Sequence, residues 1–193
     1  MKKILLVMLV GALFFYGCSG TKSESIPVIG EWAAFSDDGN GGNSTIEMAE
    51  IEKDGLIAYR FTGLVTDDSY DGYVYGYTGW EVTPDADTLE ALKTAKGISF
   101  KVIGDGQDYL IKYRISNVTD HAHHEYRFET DPGQEVTVEI PINFFMQPSW
   151  GTEVGALSER NMQNVTAISW QTHESWRPGT YDITIWDVKV MQE

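Results

Sequence analysis

Cysteine is nearly absent. Cys18 is the only one in 193 residues, so no intrachain disulfide can form and packing must hold the fold together. Positive charge is scarce too: 14 lysines and arginines face 29 aspartates and glutamates, a formal net charge of −15 at pH 7. So acidic a surface repels nucleic acid and anionic lipid headgroups, which excludes both as partners. Long apolar runs are also missing. The longest, Ile4 to Tyr16, has thirteen residues, short of the about 20 that a membrane-spanning helix needs. Neither a GxSxG nucleophile elbow nor an HExxH zinc helix occurs. A glycosidase needs two carboxylates at a set separation, and 29 acidic residues always offer some pair, so their number identifies nothing. No enzyme is expected.

What is present begins at the N-terminus. Lys2-Lys3, the apolar run and Gly17-Cys18-Ser19 follow the order of a secretory signal with a small residue at its end. A lone cysteine at that junction matches a bacterial lipoprotein signal, in which Cys18 becomes the acylated N-terminus. Phe15 stands where such signals usually carry a smaller or aliphatic residue. Residues 1–17 are therefore expected to be a signal peptide, 18–29 the lipidated cysteine and its tether, and 30–193 one domain. The stretch "SGTKSESI" (19–26) is small and polar, as a tether requires. The expected location is the bacterial cell envelope, with the membrane reached through acyl chains worth about 0.8 kcal/mol per buried methylene.

Beyond the signal, almost everything alternates. Ile57, Tyr59 and Phe61 do so in "IAYRFTG", and Tyr73, Tyr75 and Tyr77 in "GYVYGYTGW". The same pattern runs through "EVTVEIPI", "VTAISWQTH" and the terminal "YDITIWDVKVM". Pro141 in the first of these marks an edge or a strand end. Glycine, proline and Asx clusters such as "DDGNGG", "TDPGQ" and "RPGT" separate the runs. Only Thr83–Ala95 carries a helical hint, with Leu89 and Leu92 spaced to share a face. This pattern predicts an all-β protein, a two-sheet antiparallel β-sandwich of jelly-roll type. In "GISFKVIGDGQDYLIKYRIS" (97–116), alternation resumes within three residues of Gly106. A phosphate cradle would lead into a helix instead. Gly104-Asp105-Gly106 therefore reads as a hairpin turn, with Lys101, Lys112 and Arg114 on one polar face.

Five stretches occur in an order that resembles two families. They are "DDGNGGNST" (37–45), "GYVYGYTGWEV" (72–82), "LKTAKGISFKVIGDGQDYLIKYR" (92–114), "FETDPGQEVTVEIPINFF" (128–145) and "GTYDITIWDVKV" (179–190). The chain resembles the family 11 carbohydrate-binding modules and the complex I intermediate-associated protein 30 family over nearly all of residues 30–190. The resemblance implies a galactose-binding-like jelly-roll. It also implies a structural calcium ion near the chain ends, for which Asp37, Asp38 and Asp187 supply hard oxygen ligands.

Sugar rings stack their C–H faces on aromatic rings, while their hydroxyls need amide, carboxylate or guanidinium partners. Tyr73, Tyr75 and Tyr77 would make such a platform on a concave sheet, or would fill the core; glycines at 72 and 76 leave both orientations open. Arg60, Lys112 and Arg114, with Gln171 and His173, fall on the polar faces of their strands. If those strands are neighbours, the side chains converge and could grip hydroxyls or the carboxylate of a uronate. In "DHAHHEY", His121 and His123 would point the same way from a strand, a spacing that suits zinc if a third ligand joins them. The expectation is a lipid-anchored, non-catalytic protein that binds a polysaccharide or oligosaccharide. The alternative is a structural or assembly lipoprotein that holds a protein partner on the sandwich face.

Overall fold

Period-2 alternation of large apolar side chains builds the protein into two stacked sheets. A computed structural model describes residues 25–67, 76–152, 156–173 and 178–192. The signal peptide, Cys18, Tyr73 and Tyr75 lie outside the described residues. The strands in chain order are β1 (Ser25–Pro27), β2 (Gly30–Ser36), β3 (Thr45–Lys53), β4 (Leu56–Val65), β5 (Thr78–Pro84), β6 (Gly97–Ile103), β7 (Asp108–Ile115), β8 (His124–Glu129), β9 (Glu135–Pro141), β10 (Val165–Thr172) and β11 (Gly179–Met191). The first sheet has the order β3-β4-β11-β6-β9, with β1 alongside the C-terminal end of β11. The second has the order β2-β5-β10-β7-β8. All the strand pairings are antiparallel, as the alternation predicts. Pro141 ends β9, which is an edge strand of the first sheet.

Between the sheets the aromatic residues form the core. Trp32 stacks on Tyr59 at 4.4 Å and on Trp170 at 5.3 Å, Phe61 stacks on Trp80 at 4.4 Å, and Phe100 meets Trp170 edge-on at 5.8 Å. Such pairs add about 0.5–1.5 kcal/mol each beyond the area they bury. The helical hint is one short helix, α1 (Ala86–Leu92), capped by the Asp85 side chain and buried through Leu92. A single turn, α2 (Glu159–Met162), precedes β10.

The expected 97–116 hairpin is not a hairpin. β6 pairs with β11 and β9 in the first sheet, while β7 pairs with β10 and β8 in the second. Gly104–Gln107 therefore carries the chain from one sheet to the other. Gly106 supplies the positive φ (+91°) that was expected of it. The Asp105 carboxylate fixes the corner, accepting from Gln107 N, from the Tyr109 hydroxyl and from Asp182 N at 3.1–3.2 Å. Two alternating runs around a glycine turn describe a hairpin and a corner equally well, and only the neighbouring strands decide. Among the described residues, consecutive strands pair only in β3–β4 and β7–β8. Lys101 consequently faces away from Lys112 and Arg114, on the opposite side of the sandwich.

Candidate functional site

The outer face of the second sheet brings together Lys112, Arg114 and Gln171. Strand register sets its layout. One cross-strand row of outward residues reads Phe35, Gly79, Gln171, Leu110, Arg127. The next reads Ala33, Glu81, Ser169, Lys112, Glu125. Arg114 follows beside Ala167, where β10 carries a bulge. Gly79 leaves room for the half-buried Phe35 ring to lie across it, and a Cβ at Gly79 would strike that ring. Leu110 and Ser169 are only 8% and 4% exposed although they point outward, so the centre of the face is a trough.

Ion pairs stand along this trough. Arg114 donates to Glu81 at 2.6 Å, Lys112 lies 3.2 Å from Glu125, and Arg127 pairs with Asp108. Each basic group on the face thus already has a carboxylate partner. The result is a fixed array of donors and acceptors and no free positive patch.

The other sequence candidates lie elsewhere. Arg60 is on the outer face of the first sheet, donating to Asp182 at 2.5 and 2.9 Å, and so does not join the set. Tyr77 precedes β5; its hydroxyl accepts from the Asn40 side chain at 2.7 Å. His173 follows β10 and is half-buried. The expected calcium ligands are not assembled. Asp37 is fully buried and accepts from Ser44 N, Ser44 Oγ and Tyr77 N at 2.7–3.0 Å. Asp38 accepts from Ser36 Oγ and Gly39 N, and Asp187 pairs with Lys189 on the first sheet. No group of three metal-ligating side chains occurs among the described residues. With N–H and O–H donors aimed at Asp37, this set does not fit a calcium ion.

The histidines do not share a strand, because β8 starts only at His124. His121 sits at φ +63°, and His123 Nδ1 accepts from Ile115 N at 3.3 Å. Burial, with the nearby Arg114 charge adding to it, lowers the His123 pKa to about 4. The unfolded chain takes up this proton near pH 6.5 and the folded chain only near 4. Stability is therefore full above pH 6.5 and is lost as pH falls to 4. With the ring half-exposed, solvent screening reduces the loss to about 1–2 kcal/mol. His123→Asn, which keeps an acceptor for Ile115 N, should flatten that part of the Tm–pH curve; an unchanged slope would contradict the assignment.

Phe35, Glu81, Leu110, Glu125 and Ser169 belong to the face and were not singled out from sequence. Phe35 in "GEWAAFS" and Gly79 in "YTGWEV" are far apart in the chain, and only the β2–β5 register makes them one feature.

The fold is a two-sheet antiparallel β-sandwich resembling the jelly-roll of carbohydrate-binding modules. The chain belongs to the complex I intermediate-associated protein 30 (CIA30) family, whose model matches residues 21–185. A family 11 carbohydrate-binding module of a cellulosomal cellulase from Clostridium thermocellum is similar, with a TM-score of 0.60 and 17% identity, covering 88% of this chain and 94% of that one. A family 11 module from the same organism, in complex with a β-1,3-1,4-mixed-linked tetrasaccharide, gives a TM-score of 0.55 and 18% identity over 83% of this chain and 88% of that one. An agarase gives a TM-score of 0.50 at 11% identity, covering 88% of this chain but only 24% of the enzyme. At these identities the likeness is one of fold. None of the curated proteins matches the chain in sequence.

Proposed function

We propose that the protein is a lipid-anchored, non-catalytic carbohydrate-binding protein of the bacterial cell envelope, and that the outer face of the second sheet holds the glycan. The two cross-strand rows carry this reading. The Phe35 ring, lying across Gly79, offers apolar surface to sugar C–H faces, with Leu110 in the floor beyond it. Gln171, Ser169, Glu81 and Arg114 supply hydroxyl partners on either side. Because the basic groups are already paired, the face suits a neutral glycan better than the uronate that an unpaired basic patch would select. The fold shared with sugar-binding modules supports the same reading, and the signal-like N-terminus with Cys18 supports the anchor.

The test is a glycan array with residues 19–193 made without lipid. The expected result is binding to at least one neutral glycan, weakened about tenfold or more by Arg114→Ala, since a hydrogen bond to a charged group contributes about 1.5–3 kcal/mol, and about fivefold by Gln171→Ala, whose neutral bond contributes about 0.5–1.5 kcal/mol. Binding to no glycan would falsify it. The family's name favours a second reading, an assembly lipoprotein holding a protein partner. One stoichiometric partner cross-linked in cells, indifferent to Arg114→Ala, would favour that second reading.

A further inference from the structure

The outer face of the first sheet carries a separate depression of about 350 Å³, lined by Ser25, Ser99, Lys101, Thr137, Glu139, Asp187, Lys189 and Met191. Register again explains its shape. One row across β9, β6 and β11 reads Glu139, Ser99, Lys189. On one side stand Thr137 and Lys101. On the other, Gly97 lies between Pro141 and Met191, with Ser25 beyond. The small Ser99 lies in the floor, and longer side chains form the rim. β11 bulges here between Trp186 and Lys189, and Asp187 adopts φ +52°. Bulges of this kind re-aim side chains and gather beside binding sites.

The pairing of its polar groups narrows the ligand. Lys189 Nζ is held by the Asp187 carboxylate at 2.7 Å, and Lys101 by Asp54 and Glu135 at 3.4 and 3.2 Å. Both ammonium groups are therefore neutralised within the protein. Among the described residues, the side chains of Ser99, Thr137 and Glu139 make no hydrogen bond or ion pair. The available groups are two hydroxyls and one carboxylate, with Met191 as an apolar wall. Ser99 is half-buried while Thr137 and Glu139 are exposed at the rim, so anions are repelled by Glu139, and a sugar carrying an ammonium gains a charged contact there that a plain polyol lacks. A ring carrying several hydroxyls and one ammonium satisfies all three groups, and the depression falls in the size range of small-ligand sites.

We propose that this depression binds a single amino-sugar unit, with its ammonium on Glu139 and its hydroxyls on Ser99 and Thr137, independently of the opposite face. Full-length, isotope-labelled protein in mild detergent would be titrated with glucosamine, glucose and N-acetylglucosamine while backbone amides are followed by NMR. Glucosamine is expected to shift Ser99, Thr137, Glu139 and Lys189, and to bind about two- to fivefold more tightly than the two uncharged sugars, the gain from one exposed ion pair. Glu139→Gln should abolish that preference while leaving the spectrum of the second sheet unchanged. Absence of shifts at these residues, equal response to all three sugars, or a preference that survives Glu139→Gln would each overturn the proposal. Shifts confined to Lys112, Arg114 and Gln171 would also overturn it, while supporting the glycan face proposed above.

Discussion

Asp37→Ala is expected to cost the domain about 3–6 kcal/mol, the sum of leaving three buried donors without an acceptor at about 1–3 kcal/mol each, less some relaxation. The carboxylate is fully buried and closes a joint between two loops. It takes Ser44 N and Oγ from the segment leading into β3, and Tyr77 N from the segment leading into β5. The fit is close on both sides: a Cβ at Gly42 or Gly76 would collide with the Asp37 carboxylate. Asp37→Asn should recover only part of the loss, because its amide NH₂ must point at one of the same donors. In a domain of this size the alanine variant should melt about 10 °C or more below the parent. Urea unfolding with unchanged m-values would measure the difference. A loss below about 1 kcal/mol would mean that water or a rearranged loop satisfies the donors. Because Tyr77 leads into Gly79, the variant should also weaken glycan binding at the second sheet, whereas a distant core truncation of equal cost should not.

How much of this was legible in the sequence depends on the range of the interaction. Alternation is local, so strands β4, β6, β7, β9, β10 and β11 could be read directly, as could the short helix α1 from the spacing of Leu89 and Leu92. The alternation in 97–116 puts Ile98, Phe100, Val102, Ile111 and Tyr113 on the faces opposite its basic residues, and each is buried. Which sheet a strand joins is not local. Gly104–Gln107 looks like a hairpin loop because both its flanks alternate, yet β6 finds its partners in β9 and β11 rather than in β7. That one difference separates Arg60 and Lys101 from Lys112 and Arg114 by the thickness of the sandwich. It also explains why a basic cluster that looked continuous resolves into separate ion pairs. Charge count could not reveal this, because 29 acidic residues supply a carboxylate wherever register places one opposite. The Asp37 joint was hidden for the same reason: "DDGNGGNST" displays oxygen ligands, but burial and three incoming donors turn Asp37 into a structural acceptor.

Trp186→Ala is expected to cost about 3–5 kcal/mol, the range for a core aromatic, although the ring points away from the core. Register puts Trp186 outward, between Ala58 on β4 and Lys101 on β6, and an outward sheet tryptophan would ordinarily be exposed. It is instead 1% exposed. The β3–β4 connection is the two-residue turn Asp54-Gly55, with both residues at positive φ (+54° and +75°) and Lys53 paired to Leu56. That turn brings Lys53 Nζ to 4.8 Å from the ring centre, and Lys101 Nζ lies at 5.7 Å. Asp54 accepts from the indole Nε1 at 3.3 Å and pairs with Lys101, while Glu135 pairs with both lysines. The ring is the apolar floor of this charged cover, so removing it leaves a cavity and deprives two ammonium groups of their π-face. Each cation–π contact is worth about 0.5–1 kcal/mol at an exposed site, so Lys53→Ala should cost far less than Trp186→Ala. The two should also differ in salt. Screening at 1 M shortens the Debye length to about 3 Å, which should erase most of the lysine effect and leave the tryptophan effect nearly intact. Chemical denaturation by urea at low and high salt would separate them. A Trp186→Ala loss below about 1 kcal/mol, or one that vanishes in salt, would show that the cover is open in solution.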